Sequence, residues 1–244
     1  MRISTVGVRG AACAAIVVLG FTAAGCSSNS DTATATTSAA TTTTTTTTEA
    51  AATTTVKKLA PATTSEAPAG PNPTIADYIV DAGLTEIPVT RDDPTAPTIN
   101  LAIPDGWVDA AEQTPDWAYG AIIYPEVAAD ERTPSMIAIV SKLEGDVDPQ
   151  AIIDYAPGEL KNLPGFTESG EGSVSTLSGF PAYQIAGTYT DETGAEVVSA
   201  QKTAIITGQD GFYILQINVD GSIDQFDLLV DATTQVDEQT VITP

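Results

Sequence analysis

Two runs in the C-terminal half of the chain alternate along their length. Tyr183, Ile185, Gly187 and Tyr189 fall on one side of the first, and Tyr213, Leu215, Ile217 and Val219 on one side of the second. A strand turns successive side chains to opposite faces, so a period of two marks extended chain with one face buried. The polar stretches Asp191-Glu192-Thr193-Gly194 and Gly208-Gln209-Asp210-Gly211 separate these runs from a third at residues 196–207. Connections this short permit only antiparallel pairing. The chain therefore folds around an antiparallel sheet.

Further strands are expected upstream. Residues 86–90 and 98–103 read as strands around a turn at Arg91-Asp92-Asp93-Pro94, and Pro104-Asp105-Gly106-Trp107 closes the second in a tight turn that delivers a large aromatic. Residues 117–124 and 135–142 are two more β-rich runs, separated by an acidic loop at 126–132, and residues 166–176 add another after Pro164.

Helices punctuate this pattern. Thr74 suits an N-cap with Asp77 three residues on and Gly83 as the stop, and Ile75, Tyr78, Ile79 and Ala82 form the inward stripe. Asp148-Pro149 caps and starts a second helix whose buried face is Ile152, Ala156, Leu160 and Leu163, broken at Pro157-Gly158. Ser222 and Gln225 form a capping box for a last helix, with Phe226, Leu229, Val230, Thr233 and Val236 turned inward. The sum is an α+β fold: a mainly antiparallel sheet covered by helices.

What precedes this domain has a different character. Arg2 and Arg9 precede a short apolar run at residues 11–21, and Ala23, Ala24 and Gly25 lead into Cys26. A charged start, a short apolar core and a small-residue exit make a secretory signal, too short for a stable membrane span. A cysteine at the exit resembles a bacterial lipobox, in which Cys26 is lipidated and becomes the mature N-terminus; Ala23 stands where a leucine is usual. Residues 27–70 are dominated by Ser, Thr and Ala, with threonine throughout 41–48. Such a tract has too little apolar surface to offset the entropy of ordering, and it is expected to be a disordered tether, a candidate for O-glycosylation. It would span roughly 40 Å as a flexible coil and about 140 Å fully extended. The expected organisation is thus a lipoprotein signal at 1–25, a lipidated N-terminus and tether at 26–72, and a globular domain at 73–244.

Charge and residue types narrow the function. From Pro73 onward there are five basic and 29 acidic residues, a net of −24. Nucleic acid and anionic headgroups are bound by neutralising phosphates, so neither is an expected partner of the domain. Attachment to the plasma membrane would fall to acyl chains on Cys26, stable with two or more chains. Cys13 and Cys26 are the only cysteines, so the domain holds no disulfide. The sequence has no histidine. A Ser-His-Asp triad and a Cys-His pair are therefore excluded, and a zinc centre has no ligands of the usual kind. No cofactor, metal or catalytic residue is expected.

Four patterns need weighing. Gly170-Glu171-Gly172-Ser173 begins like a dinucleotide loop but lacks the later glycine and helix. Residues 216–227 follow a calcium loop in part, yet Gln216 stands first and Asp227 last, and the same residues make a strand end and helix cap. Paired carboxylates are numerous, but at this acidic density they read as a solvated surface rather than a glycosidase pair. The aromatics Trp107, Trp117, Tyr119 and Tyr124 cluster in sequence. They read first as core, and alternatively as the lining of a groove for an acyl chain or a partner's aromatic anchor.

The lipobox and Thr-rich tract, the run Thr74-Ile75-Ala76-Asp77-Tyr78, then Ile103-Pro104-Asp105-Gly106-Trp107 and Leu163-Pro164-Gly165-Phe166 occur here in order. This arrangement resembles the LpqN/LpqT family of actinobacterial, chiefly mycobacterial, lipoproteins. The resemblance implies a PsbP-like α-β-α sandwich and display on the outer face of the plasma membrane or in the cell envelope. It also implies a role in envelope biogenesis through lipid or protein partners, with no catalytic residues to carry over. The leading expectation is a non-enzymatic binding module that docks onto envelope proteins, such as lipid exporters, or onto a lipid. A ligand-free structural or antigenic surface protein, and a carboxylate-based hydrolase, are the alternatives.

Overall fold

The chain enters its first helix at Thr74. Its backbone N–H donates to Asp77 Oδ2 at 2.8 Å, and the Asp77 N–H donates back to Thr74 Oγ1 at 3.3 Å. Two N–H groups that the helix cannot satisfy internally are thereby paired. The computed structural model of the chain describes Lys58, Leu59 and residues 70–128 and 131–244. The signal segment, Cys26 and the threonine run 41–48 lie outside these described residues.

Helix α1 (Ile75–Asp81) buries Ile75, Tyr78 and Ile79. Gly83, at φ 65°, ends it in the left-handed conformation that glycine adopts without strain. Ala82, expected on the inward stripe, is the exposed C-cap. Then follow β1 (Thr85–Pro88), β2 (Thr98–Asn100), β3 (Val108–Asp109), β4 (Gly120–Ile123) and β5 (Ser135–Glu144). Asp148 Oδ1 accepts from the Gln150 N–H at 2.9 Å and starts α2 (Pro149–Tyr155). Pro157-Gly158 breaks that helix from α3 (Gly158–Lys161), as the sequence requires. The chain continues through β6 (Thr167–Glu168), β7 (Ser173–Leu177), β8 (Phe180–Thr190), β9 (Glu196–Gly208) and β10 (Gly211–Ser222). It ends with α4 (Phe226–Gln239) and β11 (Val241–Thr243).

Among the described residues, nine strands form one sheet whose main path is β3-β4-β5-β10-β9-β8-β6. Strand β1 also pairs with β5, and β7 with β8, every pairing being antiparallel. The C-terminal β11 returns to pair with β2 in a separate two-stranded ribbon. Residues 86–90 and 98–103, expected as neighbouring strands around one turn, therefore serve two different sheets. The expected strand at 166–176 divides into β6 and β7, which both pair with β8.

The sheet is covered on both faces, which corrects the expectation of one buried side. On β10, Leu215, Ile217 and Val219 face a core shared with Leu229, Ala232 and Val236 of α4. Ile214 on the same strand faces Ile75, Ile79, Ile152 and Ile153 of α1 and α2. Beside them, Leu160 packs with Ile185, Tyr189 and Val197. The alternation was real, but the second set of positions is buried too because helices lie on each side.

The last helix sits in a different phase from the expected one. Ser222 and Gln225 do form the capping contact, Gln225 Oε1 accepting from the Ser222 N–H at 2.8 Å. They open a 3-10 turn at Ile223–Gln225, and α4 begins after it. Leu229, Ala232 and Val236 set the inward face, leaving Phe226 and Val230 exposed and Thr233 half-buried.

Candidate functional site

Helix α4 lies along a sheet floor that it does not fill. Residues with small side chains, Ala138 on β5, Ala200 on β9 and Ala186 on β8, face it where larger ones would close the gap. Two clefts result, of about 290 and 300 Å³. Met136 of β5, Ile217 of β10 and Val236 of α4 line both. The clefts thus share one apolar divide, with α4 above it.

The first cleft is walled by Ile99, Leu101 and Ile103 and opens past Arg91 and Asp93. The Arg91 guanidinium lies 5.7 Å from the Tyr119 ring centroid and 3.9 Å from Asp109. The second cleft lies between α4 residues Thr233 and Thr234 and the loop 169–172. Inside it Lys202 of β9 donates to Asp237 of α4 at 2.5 Å, tying the helix to the sheet.

The four aromatics singled out in the sequence separate in space. Tyr119 is buried, lines the first cleft, and donates from its hydroxyl to the Ile99 carbonyl at 3.5 Å. Trp107 is buried in the α4-side core, and the half-buried Tyr124 packs edge-on against it at 6.1 Å. Trp117 precedes β4 rather than lying in it and is 40 % exposed. Nothing local in the sequence marks Met136, Ile217, Val236, Arg91 and Lys202 as a group; five separate segments must assemble before they become a site.

Two carboxylates that line the first cleft are engaged structurally. Asp93 accepts from the Thr95 hydroxyl at 2.7 Å and the Thr95 N–H at 2.9 Å, which holds its carboxyl below the usual aspartate range. Asp109 accepts from the Ala111 N–H at 2.7 Å. A carboxyl lowered in this way, as at Asp93, is not held protonated for use as a general acid. Glu159, which with Asp220 is one of two deeply buried carboxylates among the described residues, lies on the opposite face. It accepts from Gln201 Nε2 at 2.7 Å and Gln216 Nε2 at 3.2 Å beside a void of about 30 Å³. That void is too small for a substrate. The Gly170–Ser173 run is the loop and strand start at the second cleft rather than a helix N-terminus.

The family described as "Probable lipoprotein LpqN" matches residues 71–243, which run from just before α1 to β11. The chain belongs to the LpqN lipoprotein family. "Lipoprotein LpqN" of Mycobacterium tuberculosis is 47 % identical over 178 residues, 72 % of this chain and 76 % of that one. A solved structure entitled "Crystal structure of LpqN involved in cell envelope biogenesis of Mycobacterium tuberculosis" superposes with a TM-score of 0.67 at 47 % identity. It covers 72 % of this chain and 100 % of its own. The LpqN name carries no enzymatic activity. The family match takes in both clefts and α4, and leaves residues 1–70 outside it.

Proposed function

We propose that this chain is a non-enzymatic accessory module of cell-envelope biogenesis that shelters an acyl chain of an amphiphile beneath α4. Lipidated Cys26 would hold it at the outer face of the plasma membrane. The relative's title places LpqN in cell envelope biogenesis. The observation that carries the reading is the shared lining: Met136, Ile217 and Val236 belong to two clefts of about 290 and 300 Å³. Each lies near the lower limit of ordinary ligand pockets, and a flexible chain passing the divide would use both. The mouths are polar, at Arg91 and Asp93 on one side and Ser169 and Glu171 on the other. An amphiphile matches that division: apolar along the divide of Met136, Ile217 and Val236, hydrated at the end.

Native mass spectrometry of the full chain purified from its own host tests this. An added mass that organic extraction identifies as an acyl compound is expected. Ala138→Trp and Ala200→Trp, which would fill the two floors, should each lower its occupancy at least about tenfold. A bare chain that stays bare after incubation with host lipid extract would overturn the reading.

A second reading, docking onto an envelope protein, is favoured by one observation. Ile223 of the 3-10 turn and Phe226 and Val230 of α4 are 49, 40 and 46 % exposed at near-helical spacing. Phe226→Asp and Val230→Asp should then abolish cross-linking to that protein while leaving the acyl content unchanged.

A further inference from the structure

Between residues 27 and 69 the chain is Ser, Thr, Ala, Pro and a few polar or acidic residues, with one exception. Val56-Lys57-Lys58-Leu59 holds its only basic residues and its only apolar side chains larger than alanine or proline. Two residues of that run sit against the domain. The Leu59 N–H donates to the Gln113 carbonyl at 2.8 Å. Lys58 Nζ donates to the Thr114 carbonyl at 2.8 Å and to Asp116 Oδ1 at 3.0 Å. The Leu59 side chain packs on a small cluster of its own: Ala110, Ala121, Ile123 and Ile137, flanked by Ala118 and Ile139.

That cluster belongs to the β3–β4–β5 end of the sheet, on the face opposite α4. Ile137 pairs with Asn218, and α1 and α2 lie further along, over Leu143, Ile205 and Ile214. An uncovered apolar sheet face beside a two-residue edge strand is a surface that would otherwise recruit another chain. The charge also matches, since the domain is strongly acidic and the docking run is the only basic one in the tract.

We propose that the β3–β4–β5 wing is an interaction surface for an extended basic-apolar segment, and that this chain's own Lys58-Leu59 is its occupant. The backbone contact at Gln113 fixes the register, Leu59 supplies the apolar anchor, and Lys58 reads the acidic rim. The strap moves the point at which the domain is held upstream, from Asn72, which bonds to Asn162 at the end of α3, to Lys58 at the opposite end of the sheet. It also keeps Ile123 and Ile137 covered until it leaves.

Amide exchange and methyl contacts measured by NMR on the full chain test this at single residues. In the wild type, the Leu59 amide should exchange about tenfold or more below its intrinsic rate. Its methyls should show contacts to Ile137 and Ile123. Leu59→Asp should return the rate to within about twofold of intrinsic and erase those contacts. Lys58→Glu, which opposes Asp116, should raise the Leu59 rate by a smaller factor, about two- to fivefold, as an exposed ion pair allows. A wild-type Leu59 amide exchanging at its intrinsic rate, with no contact to Ile137, would overturn the strap. So would slow exchange that persists in Leu59→Asp.

Discussion

Glu159 Oε2 accepts from Gln201 Nε2 at 2.7 Å, and both residues are at least 95 % buried between α3 and the sheet. Gln201 Nε2 also donates to Asn218 Oδ1 at 2.9 Å, while Gln201 Oε1 has no partner among the described residues. Burial pushes the Glu159 carboxyl above its ordinary value of 4.5; the Gln201 and Gln216 contacts oppose this, and Glu86 adds to it. Folding therefore favours the protonated acid. Its stabilising contribution is complete below the ordinary value and is lost as pH rises through the raised one. Glu159→Gln should melt higher than the wild type at pH 8, and the difference should shrink toward zero at pH 4. Thermal melts of both proteins across that range check it; a variant that melts lower at pH 8 would show the carboxylate to be stabilising.

One residue away, Gly158 faces the chain that leads into α1. A Cβ at this position would lie 2.0 Å from the Pro73 carbonyl oxygen and 3.1 Å from Thr74 Cα. Backbone on both sides cannot yield without shifting α1 or α3, so Gly158→Ala should cost about 1–3 kcal/mol despite its better helix propensity. Gly170, with open space around it but φ 85°, is a useful control: its Ala variant tests backbone strain without a clash. Urea melts give both values, and an unchanged midpoint for Gly158→Ala would mean the two helices can slide apart freely.

Features set by neighbouring residues were legible in the sequence, and features set by distant ones were not. The Thr74–Asp77 box, the Asp148-Pro149 start and the Pro157-Gly158 break each depend on residues within one helical turn. The phase of α4 does not. Phe226 and Val230 are as apolar as Leu229 and Val236, and only the 3-10 turn at Ile223–Gln225 and the facing strands decide which pair goes in. Likewise β2 reads as a partner for the strand before it, but its actual partner is the chain's last strand. The burial of Asn218 and Asp220 amid the α1–α3 side of β10 was hidden because polar residues at alternate positions read as solvent-facing. Of the aromatics, only Tyr119 reaches a cleft, since the loop geometry that buries Trp107 and exposes Trp117 leaves no periodic trace.

Those two tryptophans give a direct contrast. Trp107 follows Gly106, whose φ of 80° turns the chain so that the indole enters the core against Tyr124. Its N–H donates to the Pro104 carbonyl at 3.0 Å from the backbone, which closes the turn. Removing so large a buried ring should cost about 3–5 kcal/mol, so Trp107→Ala is expected to be strongly destabilised. Trp117→Ala, with 40 % of that side chain already exposed, should cost much less, within about 1 kcal/mol. Denaturant midpoints, with secondary structure followed by circular dichroism, separate the two; equal losses would mean that Trp117 is held by contacts its exposure does not suggest.

The Lys202–Asp237 pair should respond unequally to removal of its two partners. Lys202 is nearly enclosed, with 10 % of its side chain exposed, whereas Asp237 keeps 37 %. Apart from Asp237, Lys202 Nζ has one weak contact, 3.5 Å to the Thr176 carbonyl. Asp237→Asn therefore leaves an ammonium in the second cleft without its counter-charge, and a cost of about 1–3 kcal/mol is expected after allowance for solvent at Asp237. Lys202→Met removes the charge, keeps the length of the stem and returns Asp237 to water, so it should be nearly neutral. The double variant should recover most of what Asp237→Asn loses. Urea midpoints of the three variants provide the test, and a Lys202→Met loss as large as that of Asp237→Asn would show that the pair itself, rather than the stranded ammonium, holds α4 to the sheet.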